Sequence, residues 1–260
     1  MAAGYLDRVA AFETLRAYGG RIFHAGDHAR RLEESCRALG RPLPFGRAGV
    51  EEWAAETVGE SGFPEALLRL SVHWDESGGG TLVAIVREFH AHPARLYEEG
   101  VRVSTTVMRR WTLKAQDPQI KASQFVGGVL AFVEKKDEGA HEQLFLGPAG
   151  TVAEGSVSNF FCVKEKRLLT PSVASGILRG VTRDAVIALA RREGFPVSET
   201  FLTRHEVYTA DECFLTNTSS EILPVVGADR RTIGGGRPGP VTVRLAAAFK
   251  KMVKDSFSDE

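Results

Sequence analysis

The chain has 260 residues and 28.3 kDa, which at roughly 150 residues per domain predicts one large domain or two modest ones, with two as the working number. Hydrophobic residues at 43%, charged residues at 25%, 27 Gly and 11 Pro exclude a disordered, collagenous or low-complexity chain. Lys+Arg and Asp+Glu balance at 33 each, so the basic excess of a nucleic-acid binder is missing, and no apolar run approaches the roughly 20 residues of a membrane span.

From the N-terminus, MAAGYLDRVAAF carries acidic and basic residues where a secretory apolar segment would lie, which predicts a cytoplasmic protein. Asp27 is placed to cap a helix over 28–39, with Leu32, Cys36 and Leu39 on one face and Gly40 as terminator. A second helix is predicted over 50–58. After Pro64, LLRLSVHW (67–74) and TLVAIVREF (81–89) flank a glycine turn and predict a hairpin in the first domain's sheet. A third strand over 100–109 leads into RRWTLKAQDPQ, a polar, aperiodic stretch that predicts a domain boundary near 110–118. Beyond it, Phe125, Val129, Phe132 and Val133 recur with helical spacing from Lys121 to Gly139.

Short strands are predicted in EQLFLG (142–147) and SVSNFFCVK (156–164), and a helix opens at Gly180-Val181-Thr182 and stops at Gly194. A strand at 214–216 runs into the polar turn Asn217–Ser220, and a basic helix with Leu245, Phe249 and Met252 on one face closes the chain. Cys36, Cys162 and Cys213 are widely spaced with no CxxC, which predicts three buried apolar thiols and no metal site.

Two segments are suited to an anion. A helix N-terminus presents unpaired N–H groups, so the start at Gly180–Thr182 either holds an anion or is simply capped by Thr182. The turn Asn217-Thr218-Ser219-Ser220 is either a nest of N–H groups and hydroxyls or an ordinary turn. Lys121, opening an apolar-striped helix, is either a desolvated amine or a solvated lysine. Glu154 in VAEGS is a buried partner or a surface turn carboxylate, and Arg31 a ligand or a snorkelling arginine.

The joint order of FETLRAYGGRIF (12–23), HARRL (28–32), Lys121, VAEGSVSNFF (152–161), LLTP (168–171), GILRGVTRDAVIALA (176–190) and FLTNTSSEILPV (214–225) resembles the class IV, or fold type IV, pyridoxal-phosphate aminotransferases. That group includes branched-chain aminotransferases, D-amino-acid transaminases and aminodeoxychorismate lyases. The resemblance reaches PGPVTVRLAAAF (238–249), nearly the whole chain.

It implies an α/β (α+β) fold of two domains, a small α/β sandwich over 1–112 with a shortened N-terminus and a larger pseudo-barrel over 120–260, joined by a linker at 113–119. It also implies a homodimer acting on amino acids and 2-oxo acids.

Carried over residue by residue, Lys121 matches the lysine that forms the Schiff base with pyridoxal 5'-phosphate and moves the substrate proton, which requires a neutral amine. Glu154 matches the carboxylate that keeps the pyridine nitrogen protonated. Arg31, Val181, Thr182 and Thr218 match the phosphate ligands. The Thr218-Ser219-Ser220 turn and Arg69 are candidates for the substrate carboxylate, with an outward strand arginine as the plainer account of Arg69.

Three departures accompany the match: the chain begins close to FET, Phe125 stands where relatives often have tyrosine, and Leu67 stands two residues before Arg69 where branched-chain enzymes tend to have tyrosine. The activity implied is transamination, with aminodeoxychorismate lyase as the first alternative and a non-catalytic cofactor-binding relative as the second. TSSEILPV (218–225) looks more like the transaminases.

Overall fold

A computed structural model describes residues 10–75, 77–109, 117–123, 139–147 and 149–258. The chain is mixed α/β and divides into two compact units, one built from residues 1–91, 119–125 and 253–260, the other from 92–118 and 126–252.

In the first unit β1 (Ala11–Tyr18) lies between β2 (Arg21–Ile22) and β3 (Glu65–Trp74), and β4 (Gly80–Glu88) forms the far edge of this antiparallel sheet. Strand side chains alternate between faces, and burial alternates along both β1 and β3. Ala11, Leu15, Ala17, Leu68, Leu70 and Val72 form one apolar face. Against it pack Ala29, Leu32 and Cys36 of α1 (Ala25–Ala38) and Val50, Ala54 and Val58 of α2 (Gly46–Ser61).

α1 starts three residues before the limit read from the sequence and ends one residue short of it, whereas α2 extends beyond its limits at both ends. Asp27 is not the cap of α1: it sits in the first turn with its Oδ2 2.7 Å from His24 Nδ1. His24 takes the cap position with a left-handed φ of 54°. In α2, Phe45 and Gly62 at left-handed φ mark the two ends.

In the second unit β5 (Val101–Arg109), β6 (Glu142–Leu146), β7 (Val152–Gly155), β8 (Asn159–Lys164), β9 (Arg167–Pro171), β10 (Val197–Thr200), β11 (Glu212–Asn217), β12 (Glu221–Ala228) and β13 (Arg231–Thr232) form a mixed sheet. Its order among the described residues is β10-β9-β8-β11-β12-β5-β6-β7, with β13 on β12. The sequence placed the strand at 100–109 in the first domain. It pairs instead in parallel with β12 and β6, because Val101 and Val103 bury among Leu144, Phe160, Leu215 and Leu223.

α4 (Val181–Arg192) and α6 (Pro240–Asp255) match the expected helices, and α3 (Arg95–Glu98) and α5 (Arg204–Tyr208) are short additions. The helix expected from Lys121 to Gly139 lies almost wholly outside the described residues, as does Phe125. Among the described residues no helix is long and apolar enough to cross a membrane. All three cysteines are buried free thiols, and Cys162 and Cys213 face each other across β8 and β11 at 3.6 Å.

Candidate active site

In the first unit the alternation of β1 sends Glu13 inward among apolar side chains, where it is fully buried. A buried carboxylate requires partners, and α1 supplies them. Arg31 donates from Nε to Oε1 and from a terminal nitrogen to Oε2, both at 2.7 Å, and His28 Nδ1 lies 2.8 Å from Oε2. Burial alone would raise the Glu13 pKa, but the charge and hydrogen bonds of Arg31, joined by His28, hold it well below the usual carboxylate range. Burial pushes His28 below its ordinary 6.5 against the pull of Glu13, so its ring is neutral near pH 7 and donates through Nδ1.

Arg31 is therefore neither exposed nor snorkelling. Two of its five N–H donors are committed to Glu13, which fixes the plane and direction of the guanidinium.

This triad makes stability acid-sensitive. Both folded pKa values are depressed, so the unfolded chain takes up protons that the folded chain refuses, and stability falls as pH drops below about 6.5 for His28 and again below about 4.5 for Glu13. The denaturant midpoint of wild type is expected to decline from pH 6.5 to 5, by at most about 1.4 kcal/mol per pH unit from His28. His28→Gln should flatten that stretch, and an unchanged slope would contradict the assignment.

Lys121 is positioned by its backbone. Its carbonyl accepts from Phe12 N at 2.9 Å, its N–H donates to Ser35 Oγ on α1 at 3.1 Å, and Ser123 N donates to the Ala10 carbonyl at 2.8 Å. A short antiparallel bridge between Ala11 and Ala122 completes the attachment to β1. The Lys121 amine lies 4.9 Å from the centre of the Phe12 ring, and the Arg69 guanidinium carbon 3.9 Å from the same ring. Arg69 points outward from β3, opposite Thr14 of β1. Burial against that face lowers its pKa. Lys121 and Arg69 thus meet at one ring, whereas Arg31 serves the opposite face of β1 through Glu13.

In the second unit Glu154 is not a turn residue. It lies on β7 and is 4% exposed. Its Oε2 accepts from Asn159 Nδ2 at 3.1 Å and from Leu178 N at 3.0 Å. Beyond β7, the 156–158 turn is tied to the buried carboxylate of Glu142, which accepts from Val157 N, Ser156 Oγ and Ser158 Oγ.

Gly180 takes the cap position of α4, and among the described residues no side chain caps it, so Thr182 does not play that part. Val181 and Thr182 are each 9% exposed. The start of the helix is fixed by Arg183, fully buried, which donates to the Pro171 carbonyl at 2.9 Å and to Glu199 at 2.8 Å.

The turn after β11 differs from the open nest expected of it. Asn217 Oδ1 accepts from Ser219 N at 3.0 Å, Ser219 Oγ at 3.1 Å and Ser220 N at 2.7 Å. Those two backbone donors are engaged within the turn, because an asparagine side chain competes readily for N–H groups two and three residues ahead. Tyr97 OH donates to the Ser220 carbonyl at 3.2 Å. Thr218 is half-buried, and two residues before it Thr216 carries a buried Oγ1 without a hydrogen-bond partner among the described residues.

Sequence reasoning missed Glu13, Asn159 and the part that Asn217 plays as acceptor inside its turn. Glu13 had a signal, a lone charge at an inward position of the alternating strand AFETLRAY. Asn159 and Asn217 had none that spacing alone supplies.

The profile of the family Amino-transferase class IV matches residues 10–228. The branched-chain-amino-acid aminotransferase of Pseudomonas aeruginosa strain PAO1 is 33% identical, over 94% of this chain and 84% of its own. The T.th. branched-chain amino acid aminotransferase with pyridoxamine 5'-phosphate superposes with a TM-score of 0.92 at 29% identity, covering 99% of this chain and 89% of that one. The same enzyme complexed with N-(5'-phosphopyridoxyl)-L-glutamate gives 0.91 at 30%, covering 99% and 89%.

Proposed function

This chain belongs to the class IV aminotransferases, pyridoxal-phosphate enzymes of fold type IV, and on that premise we propose that it moves the amino group of a branched-chain L-amino acid to 2-oxoglutarate, with Lys121 as its catalytic residue. The cofactor, when bound, supplies the electron sink for the bond at the substrate Cα. The chain supplies the rest. The Lys121 amine attaches the cofactor and, when neutral, moves the proton from the substrate Cα.

The Glu154 carboxylate would keep the ring nitrogen protonated, while Arg31, Val181, Thr182 and Thr218 would hold the phosphate. Arg69 and the Ser219 and Ser220 region take the substrate carboxylate, which displaces Asn217 Oδ1 if it uses the two backbone donors.

The observation that carries this reading is the chemistry of the donor set. A buried carboxylate suits a protonated ring nitrogen, and an uncapped helix start suits a phosphate. The buried hydroxyl of Thr216 adds a group that calls for a polar partner. The branched-chain preference rests on the named relatives and holds despite the departure at Leu67 on the outward face of β3.

We also infer a homodimer, since β4 is a sheet edge exposing Val83 and Ile85. The purified chain supplied with cofactor and 2-oxoglutarate is expected to convert L-leucine, L-isoleucine and L-valine faster than their D-enantiomers, and to sediment as a dimer. Turnover of D-amino acids alone, or an active monomer, would overturn the corresponding part.

A further inference from the structure

Asn159 opens β8 across from Thr216 and is buried. Its Nδ2 donates twice, to Glu154 Oε2 at 3.1 Å and to the Leu178 carbonyl at 2.8 Å. Both partners only accept, so the amide group must stand in this orientation and no flip satisfies it. The other end of the same amide packs on Gly180: a Cβ placed there would stand 2.0 Å from Asn159 Oδ1. Leu178 N closes the loop by donating to the same Glu154 oxygen at 3.0 Å. One side chain therefore joins the carboxylate on β7, the segment 178–180, and the residue that opens α4.

Resting on the roles proposed above for Glu154 and the α4 start, we propose that Asn159 is a positioning residue for the cofactor: it holds the Glu154 carboxylate toward the ring nitrogen and sets its spacing from the phosphate-holding helix start. Glu154 keeps the nitrogen protonated only while it is ionised, and a second donor on Oε2 favours the ionised form. An Asp at 159 would turn a carboxylate oxygen on Glu154 where the amide donated, so one of the two acids would take up a proton. The attraction for a protonated ring nitrogen would weaken, while the fold around β8 keeps a side chain of the same shape. A Ser at 159 is smaller and can donate only one bond.

The test is equilibrium binding of two probes to the full chain freed of cofactor: pyridoxamine 5'-phosphate, and its 1-deaza analogue in which a C–H replaces the ring nitrogen. Any effect of Asn159 on the helix start or on folding weakens both probes alike. An effect through Glu154 weakens only the probe that has the nitrogen. Asn159→Asp is expected to reduce affinity for pyridoxamine 5'-phosphate by about tenfold or more beyond any loss for the deaza analogue, and Asn159→Ser by less. Equal losses for both probes in both variants would overturn the inference. Glu154→Gln, measured beside them, separates the two levels: if it too fails to discriminate the probes, the role given to Glu154 falls, whereas discrimination by Glu154→Gln alone removes only Asn159.

Discussion

Lys121→Ala is expected to lower transamination by at least about 10³-fold and to abolish the visible absorbance of lysine-attached cofactor, while the protein remains folded. The fold should survive because Lys121 is held by its backbone, through Phe12 N, Ser35 Oγ and the Ala11–Ala122 bridge, and alanine keeps each of those bonds. The side chain beyond Cβ is removed with its amine, and with it both cofactor attachment and the group that moves the Cα proton. Exogenous small amines such as ethylamine should restore part of the rate, because they return a base to the space the side chain leaves. Retention of activity within tenfold of wild type in a steady-state assay would show that another group does this work.

Glu13→Ala is expected to cost about 3–5 kcal/mol of stability, the usual consequence of removing one member of a buried ion pair. Arg31 and His28 would be left buried without the carboxylate that accepts from both. The loss should be read from denaturant unfolding at pH 7, where wild-type Glu13 is ionised. Glu13→Leu combined with Arg31→Met should recover much of it, because apolar residues of similar volume replace a buried pair at little net cost. The double variant would also separate two roles, since a folded protein without Arg31 should still bind pyridoxamine 5'-phosphate more weakly if Arg31 holds phosphate. A cost under about 1 kcal/mol for Glu13→Ala would mean that the triad is screened by water and weak.

Local pattern explains what the sequence made legible. Alternation in LLRLSVHW and TLVAIVREF predicted β3 and β4, and the glycine start with apolar spacing predicted α4, because each is decided within a few residues. The strand expected over 100–109 was placed in the first domain, although it pairs in the second unit's sheet, for the opposite reason. Its partners, β6 and β12, lie far along the chain, and parallel pairing leaves no turn signal.

The site followed the same division. Arg31, Lys121 and Glu154 came from motifs in order, yet their partners Glu13, Ser35 and Asn159 came only from three-dimensional pairing. The turn at 217–220 was recognised as a polar turn, but the bonds from Asn217 that occupy its N–H groups depend on one side-chain rotamer.

The most direct measurement is a single half-reaction followed by absorbance. The purified chain, loaded with pyridoxal phosphate and mixed with L-leucine in the absence of any 2-oxo acid, should lose its lysine-attached band and gain the spectrum of pyridoxamine 5'-phosphate. One equivalent of 2-oxo acid should be released per chain, and Lys121→Ala should show no change. A loaded protein whose spectrum no amino acid alters, or that releases pyruvate from aminodeoxychorismate instead, would contradict the account.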